Sequence, residues 1–211
     1  MIETDKKETR RQIIHFSGIA SVFFVLYFGK FVTGAGALII SAGLFALSFY
    51  VKMKNEIRKK LPFRIKFLEN LEDSFHQLLD SVERETSGVK YMGAILFFFG
   101  IGFSLLVFPL KIAILSVIVV SVGDSLSTLV GVHWGRHKTK INPKKSWEGT
   151  LGGFLGAFVV CLIFTNLWMA IIAAGVGMIM ELLPVRINDN LLIPFSVGIV
   201  IFGIKTLGLP V

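Results

Sequence analysis

Seven apolar runs, each close to 20 residues long, recur along the chain with short charged segments between them. A helix needs about 20 mainly apolar residues to cross the hydrocarbon core of a bilayer. With 54% hydrophobic and only 17% charged residues, the 211-residue chain is too apolar for an ordinary soluble domain. We therefore predict an all-α fold, a polytopic membrane helix bundle of about seven transmembrane helices that forms a single integral membrane domain over residues 1–211. The predicted spans lie near residues 13–29, 31–51, 92–108, 110–131, 150–165, 167–183 and 191–208.

The positive charges predict how these spans are oriented. If successive spans cross in alternate directions, 19 of the 22 lysines and arginines fall on one side, and only Lys30, Lys111 and Lys205 fall on the other. In multi-pass proteins the cytoplasmic loops carry the excess of Lys and Arg. We therefore expect a cytosolic N-terminus, in a cell membrane or in the endoplasmic reticulum.

The formal net charge of +8 is explained by this topology and by attraction to anionic lipid headgroups. The basic residues lie close to membrane spans, and the sequence contains no recognisable nucleic-acid-binding module. The expected partners of these residues are therefore membrane lipids and not nucleic acid.

The longest polar segment, residues 52–90, begins with a basic stretch and continues with apolar residues at steps of three and four, from Phe67 to Val82. Acidic residues such as Glu69 and Asp73 lie between them. This spacing predicts a cytosolic amphipathic helix that lies along the membrane surface or packs on the bundle. A structural role explains the helix without a catalytic one.

One carboxylate falls inside an apolar span. Asp124 lies within the run 112–130, where an ionised carboxylate costs roughly 3 kcal/mol on insertion scales. Such a residue normally faces a polar cavity or a charged partner. At 100° per residue, Ser121, Asp124, Ser125 and Thr128 share one helix face that leads toward the positive side. The sequence therefore predicts a polar face that opens on the following loop.

That loop, residues 132–149, combines glycines, five cations and, at its end, Glu148. A bound triphosphate needs cationic donors, a backbone that can approach it closely, and a divalent cation held by carboxylates. A positive-inside loop with interfacial tryptophans would explain the cations but not Asp124 or Glu148. We therefore predict that this segment handles a nucleotide triphosphate. The five cations are Arg136, Lys138, Lys140, Lys144 and Lys145.

Two further acids fall on the same predicted side. Glu181, near the end of the sixth span, is another carboxylate at the membrane edge, and we expect it to be functional. Asp189 precedes the seventh span and has two interpretations. It either caps the last helix, as short polar side chains do, or belongs to the site.

Short motifs across the chain resemble the CTP-dependent lipid kinases, a family that includes dolichol kinase, phytol kinase and the CTP-dependent diacylglycerol kinases. Central and distant pieces agree, so the resemblance covers most of the chain. The pieces are Arg10-Arg11 with His15 and Gly18, Gly123-Asp124-Ser125, Gly131, Gly135-Arg136, Lys145-Ser146, Glu148-Gly149, Asp189-Asn190 and Ile193-Pro194.

A second resemblance competes with the first. The run from Pro143 to Gly149, together with Gly152 and Gly153, is similar to the phosphatidate cytidylyltransferases. The C-terminal signature of that family is missing here, and we therefore favour the kinase, with CDP-lipid synthesis as the alternative. A small membrane transporter, with Asp124 and Glu181 along an ion path, is a third interpretation.

The kinase resemblance implies CTP as the phosphoryl donor, Mg²⁺ or another divalent cation as the cofactor, and a polyprenol or diacylglycerol-like lipid alcohol as the substrate. On this hypothesis the polar residues of the central loop and of the neighbouring helix ends receive roles. The catalytic residues are Asp124, Lys145, Glu148 and Asp189. The nucleotide contacts are Arg136, Lys138, Lys144, Lys145, Ser146 and Asn190. The metal ligands are Asp124, Glu148 and Glu181.

Overall fold

The computed structural model describes residues 2–60 and 91–208, and describes side chains for residues 8–53 and 91–208. Within these ranges the chain is helical apart from short turns, and its only β-pairing is an isolated bridge between Lys138 and Ser146. The predicted all-α class is therefore confirmed. The predicted amphipathic helix, with its apolar residues from Phe67 to Val82, lies outside the described residues.

Nine α-helices make up the described part of the chain. They are α1 Ile2–Phe16, α2 Ala20–Phe28, α3 Lys30–Lys60, α4 Met92–Val107, α5 Leu110–Ile118, α6 Asp124–Trp134, α7 Trp147–Leu162, α8 Leu167–Leu182 and α9 Asp189–Thr206. A 3₁₀ turn, Ser17–Ile19, joins α1 to α2, and a π turn, Val119–Gly123, joins α5 to α6. Because these turns continue the helical path, each joined pair forms a single span.

The described helices give seven apolar segments at the positions predicted for the spans. Four are long and apolar enough to cross a membrane, namely Glu8–Phe28, Lys30–Met53, Leu110–Trp134 and Asp189–Thr206. The other three, α4, α7 and α8, have 16 residues each. The architecture is that of a membrane helix bundle, as the sequence predicts.

The span Leu110–Trp134 forms the centre of the bundle. Its most apolar window is 83% buried, against 22–33% for the other three long spans. Helices α1, α4, α7, α8 and α9 all contact this central span, including its π turn. The outer helices instead expose large apolar side chains such as Phe23, Tyr27 and Ile163. An apolar surface of this extent indicates contact with lipid.

Glycines bring α6 and α7 into backbone contact. A Cβ atom on Gly153 would lie 2.6 Å from the carbonyl oxygen of Gly123, and one on Gly149 would lie 2.6 Å from that of Ser127. Small residues at four-residue spacing allow this close approach between membrane helices. The contact holds the end of α6 beside the start of α7, which fixes both ends of the loop that joins them.

Candidate active site

The loop between α6 and α7, residues 135–146, folds back on itself through its own hydrogen bonds. The Thr139 amide donates to the Lys145 carbonyl over 3.0 Å, and the Asn142 amide donates to Thr139 Oγ1 over 3.1 Å. Ser146 then caps α7, since its Oγ accepts from the Gly149 amide at 3.1 Å. The folded loop holds Lys145 in a half-buried position directly before the helix cap.

Lys145 connects the loop to the adjacent ends of α8 and α9. Its ammonium forms an ion pair with Glu181, the penultimate residue of α8, and lies 3.5 Å from Asp189 Oδ2 at the start of α9. The Glu181 side chain is 1% exposed and that of Lys145 is 20% exposed. The structure therefore brings together Lys145, Glu181 and Asp189, which lie far apart in the sequence.

The central span adds Asp124 and Ser127 to this cluster. Ser127 Oγ donates to Glu181 Oε1 over 2.8 Å. Asp124 is 5% exposed, and its charge acts on both Lys145 and Glu181. It lies ten residues before the end of α6, which corresponds to about 15 Å along the helix axis. We call Asp124, Ser127, Lys145, Glu181 and Asp189 the acidic cluster.

Two carboxylates of the acidic cluster have oxygens available to a ligand. Within the described part of the chain, Asp124 has no hydrogen-bond or ion-pair partner, and the buried Glu181 Oε2 accepts no hydrogen bond. Buried polar atoms are nearly always paired in native structures, and ionisable residues within membrane spans usually mark a functional path. The two carboxylates therefore indicate a place where a bound group completes the coordination.

The charge of Lys145 is maintained by its surroundings. Burial alone lowers the pKa of Lys145, but the carboxylates of Glu181, Asp124 and Asp189 outweigh that effect and raise the pKa above its ordinary value. Lys145 therefore stays protonated at neutral pH. With one ammonium among three carboxyl groups, the acidic cluster can accept further positive charge.

The predicted metal ligands Asp124, Glu148 and Glu181 do not form one set. Glu148 instead accepts from the His137 backbone amide at 3.1 Å and lies 2.5 Å from His137 Nδ1. Among the described residues, no three His, Cys, Asp or Glu side chains are placed to hold a metal. Mg²⁺, however, is commonly bound by one or two carboxylates together with substrate phosphates. Asp124 and Glu181 fit that smaller requirement, because they have free oxygens.

The other predicted nucleotide contacts divide into exposed cations and residues with structural bonds. Arg136, Lys138 and Lys144 are exposed on the loop, where an anion from solution can reach them. Ser146 is buried as the helix cap. Asn190 donates through Nδ2 to the Gly93 carbonyl over 2.9 Å and so ties α9 to α4. Their proposed contacts with nucleotide remain predictions.

Two buried polar residues were missed by the sequence analysis. Ser127, and not Thr128, reaches Glu181, while Thr128 is only half-buried. Gln12 is completely buried in the first span. Its spacing from His15 provided a signal, since residues three apart lie on the same helix face. Ser127 gave the same signal, since it lies three residues after Asp124 on the central span.

An apolar groove of about 300 Å³ opens between α7 and α8 beside the acidic cluster. One of its lining residues, Leu182, follows Glu181 of the acidic cluster in the chain. Gly175 lies in the groove wall, and a Cβ atom there would meet nothing nearer than a Phe154 ring carbon at 4.0 Å. The groove therefore has room for a hydrocarbon chain. Its lining residues are Trp147, Thr150, Leu151, Phe154, Gly175, Met178, Ile179 and Leu182.

Comparison with known sequences identifies similar proteins. A family model described as the cytidylyltransferase family matches residues 74–205. CTP-dependent diacylglycerol kinase 1 of Schizosaccharomyces pombe is 28% identical over 138 residues, which cover 57% of this chain and 63% of the relative. Phytol kinase of Synechocystis is 31% identical over 160 residues, which cover 75% of this chain and 59% of the relative.

A further similar sequence, an uncharacterized protein of Methanocaldococcus jannaschii, is 35% identical over 129 residues, or 59% of this chain and 64% of the relative. The chain thus spans 59–64% of the length of these three relatives. No solved structure matches it significantly.

Proposed function

The chain belongs to the cytidylyltransferase family, and from that premise we propose that it transfers the terminal phosphoryl group of CTP to the hydroxyl group of a membrane lipid. The two relatives named as kinases support phosphoryl transfer to a lipid alcohol. The observation that carries the proposal is the acidic cluster, in which Lys145 and three carboxylates meet at the end of the helix bundle. The polyprenol or diacylglycerol-like character of the substrate is part of this proposal.

Asp124 and Lys145 of the acidic cluster act directly in the proposed reaction. Asp124 accepts the proton of the lipid hydroxyl, whose oxygen forms a bond to the terminal phosphorus while the bond from that phosphorus to the bridging oxygen breaks. CDP leaves with the electrons of the broken bond. Lys145 stabilises the negative charge of the phosphates, since phosphoryl transfer depends mainly on positioning and electrostatic stabilisation. The exposed Arg136, Lys138 and Lys144 attract the nucleotide to the loop.

Glu181 and one carboxylate oxygen of Asp124 would hold a divalent cation that arrives with the nucleotide, which leaves the second Asp124 oxygen to accept the proton. When bound, such a cation neutralises charge on the phosphates and orients them. Glu148 is held by His137 and contributes to the structure of the loop in this proposal. The site lies on the cytosolic side in the proposed topology, because the loop and the N-terminus share the basic face of the bundle.

Transfer of a cytidylyl group is the second candidate, since the matching family model carries that description. Two CTP samples, one labelled in the terminal phosphate and one in the α-phosphate, distinguish the two reactions. We expect CTP labelled in the terminal phosphate to label diacylglycerol or a polyprenol, and CTP labelled in the α-phosphate to leave the lipid unlabelled. Incorporation of the α-label into phosphatidate, with release of labelled pyrophosphate from the terminal label, would establish the cytidylyltransferase instead.

The groove between α7 and α8 suits the hydrocarbon chain of the lipid substrate, since it is apolar and lies beside the acidic cluster. Gly175→Leu should fill it with little displacement of neighbouring atoms, because a Cβ there meets nothing nearer than a Phe154 ring carbon at 4.0 Å. We expect the KM for a long-chain alcohol to rise about tenfold, because the filled groove would no longer bury roughly two methylene groups of the chain. The KM for a short-chain alcohol should stay unchanged.

Gly36→Leu is the matched control, since a Cβ at Gly36 on α3 meets nothing within 4 Å but lies outside the groove. This variant should keep the wild-type dependence on chain length. Equal KM values of Gly175→Leu and wild type for long-chain alcohols would exclude the groove as the chain-binding site.

A further inference from the structure

The first span carries a buried glutamine that the proposed mechanism does not use. Gln12 has no solvent exposure, and its Nε2 donates to Glu8 Oε1 over 3.0 Å. Its Oε1 accepts no hydrogen bond within the described part of the chain. A buried acceptor without a donor costs about 1–3 kcal/mol. The buried position of Gln12 therefore destabilises the fold unless a bound group donates a hydrogen bond to Oε1.

The central span presents two more unpaired polar atoms. Ser121 and Ser125 are completely buried, and within the described residues neither Oγ has a hydrogen-bond partner. Both serines lie within one turn of Asp124. A hydroxyl can donate or accept, so the pair complements the acceptor of Gln12.

The packing of the first span places these atoms along its interface with the central span. Helix α1 contacts α6 while α2 contacts α5, so the first span runs antiparallel to the central span. A Cβ on Gly18 would lie 2.7 Å from Ser121 Oγ, which fixes the register. At the same rise per residue in both spans, Gln12, six residues before Gly18, is level with residue 127. Gln12 and the two serines therefore flank Asp124 along the interface.

The charged and polar groups around Gln12 indicate which kind of ligand fits this interface. Arg11 donates to Glu8 Oε1 over 2.6 Å in an ion pair, which neutralises the two charged residues nearest to Gln12. Arg11 Nε is also buried without a hydrogen-bond partner among the described residues and remains a charged donor beside Gln12. Gln12 Oε1, however, can only accept a hydrogen bond, so its ligand must have a proton to donate. A hydroxyl group meets this need, whereas the oxygens of an ionised phosphate only accept.

We propose that Gln12, with Ser125, binds the acceptor hydroxyl of the lipid alcohol beside Asp124. This inference rests on the proposed kinase function and extends it to the recognition of the acceptor. Gln12 Oε1 accepts a hydrogen bond from the lipid hydroxyl, whose proton then passes to Asp124. The Ser125 hydroxyl donates to the oxygen of the lipid hydroxyl. The hydroxyl is thereby held with a lone pair free to attack phosphorus.

The test compares Gln12→Leu with wild type in full-length protein, using 1,2-dioctanoylglycerol and a polyprenol as acceptors. We expect the KM for the acceptor to rise about tenfold, the upper range for one neutral hydrogen bond, while the KM for CTP stays unchanged. In competition binding, wild type should prefer dioctanoylglycerol to its analogue without the hydroxyl, and Gln12→Leu should bind the two equally. Ser17→Ala is the control, because that exposed hydroxyl bonds only to its own helix.

Other outcomes overturn the inference. A raised KM for CTP would assign these polar atoms to nucleotide binding, and wild-type kinetics in Gln12→Leu would leave Gln12 without a role in recognition. If Gln12→Leu does not fold, Ser125→Ala should give the same rise in the KM for the acceptor. An unchanged KM in Ser125→Ala would then overturn the inference. Failure of wild type to phosphorylate any alcohol would instead reject the proposed function, which the isotope experiment detects separately.

Discussion

Asp124→Asn should lower kcat by roughly 10²–10⁴-fold, the usual contribution of a general base, while the protein still folds and inserts. Within the described part of the chain, Asp124 has no hydrogen-bond or ion-pair partner, so the amide replaces no structural contact. It also removes a negative charge that repels Glu181 and attracts Lys145, two effects of opposite sign. The thermal stability of the variant in detergent should therefore stay close to that of wild type. The measurement is phosphoryl transfer from terminally labelled CTP, with a parallel melting curve.

Ser116→Ala is the matched control for Asp124→Asn, since Ser116 lies on the same span and its Oγ donates only to the Ile112 carbonyl of its own helix, over 3.1 Å. We expect this variant to retain wild-type kcat. Full activity of Asp124→Asn would remove Asp124 from the mechanism. A lost fold with lost activity would show that the carboxylate has a structural task.

The seven spans could be predicted because apolar length and charge asymmetry act on each segment locally. A run near 20 residues requires no knowledge of its neighbours, and the observed segments begin and end within a few residues of the predicted ones. Asp124 could be singled out for the same reason, since a carboxylate in an apolar run is costly wherever the helix packs. The position of Asp124 within the acidic cluster, by contrast, is set by tertiary contacts that the sequence pattern does not contain.

The polar face of the central span shows where local reasoning ends. Ser127 and Thr128 follow Asp124 by three and four residues, so both lie near its helix face, yet Ser127 is the residue that bonds to Glu181. The choice between them depends on the side from which Glu181 of α8 approaches the central span. Periodicity along the chain carries no information about that packing. The partner of Glu181 was therefore beyond prediction from periodicity.

Glu148 illustrates a second limit. Its place in the motif predicts a metal ligand, whereas in the structure it bonds to the His137 backbone amide and contacts the His137 ring. The orientation of the Glu148 side chain depends on the start of α7 at Trp147 and on the fold of residues 135–146. Both arise from hydrogen bonds within the loop. Spacing along the chain carries no information about them. The assignment of Glu148 to a metal site remains a prediction.

Lys145→Met should reduce both activity and stability, because this lysine serves two purposes. Loss of the ammonium leaves Glu181 buried without a counter-charge, and breaking such a pair costs roughly 3–5 kcal/mol of unfolding free energy. Loss of a preorganised charge at the phosphates should lower kcat by roughly 10²–10³-fold. Lys140→Ala is the control, since Lys140 lies exposed on the same loop. It should differ little from wild type in both measurements.

A second substitution separates the two purposes of Lys145. In Lys145→Met with Glu181→Gln, the uncompensated charge is gone, so the melting temperature in detergent should recover most of the loss seen in Lys145→Met alone. The activity should not recover, because neither residue then carries the charge that the phosphates and the divalent cation need. Recovery of stability and activity together would mean that Lys145 acts only through folding. Continued instability of the double variant would mean that Asp124 and Asp189 also depend on the lysine, as their effect on its pKa suggests.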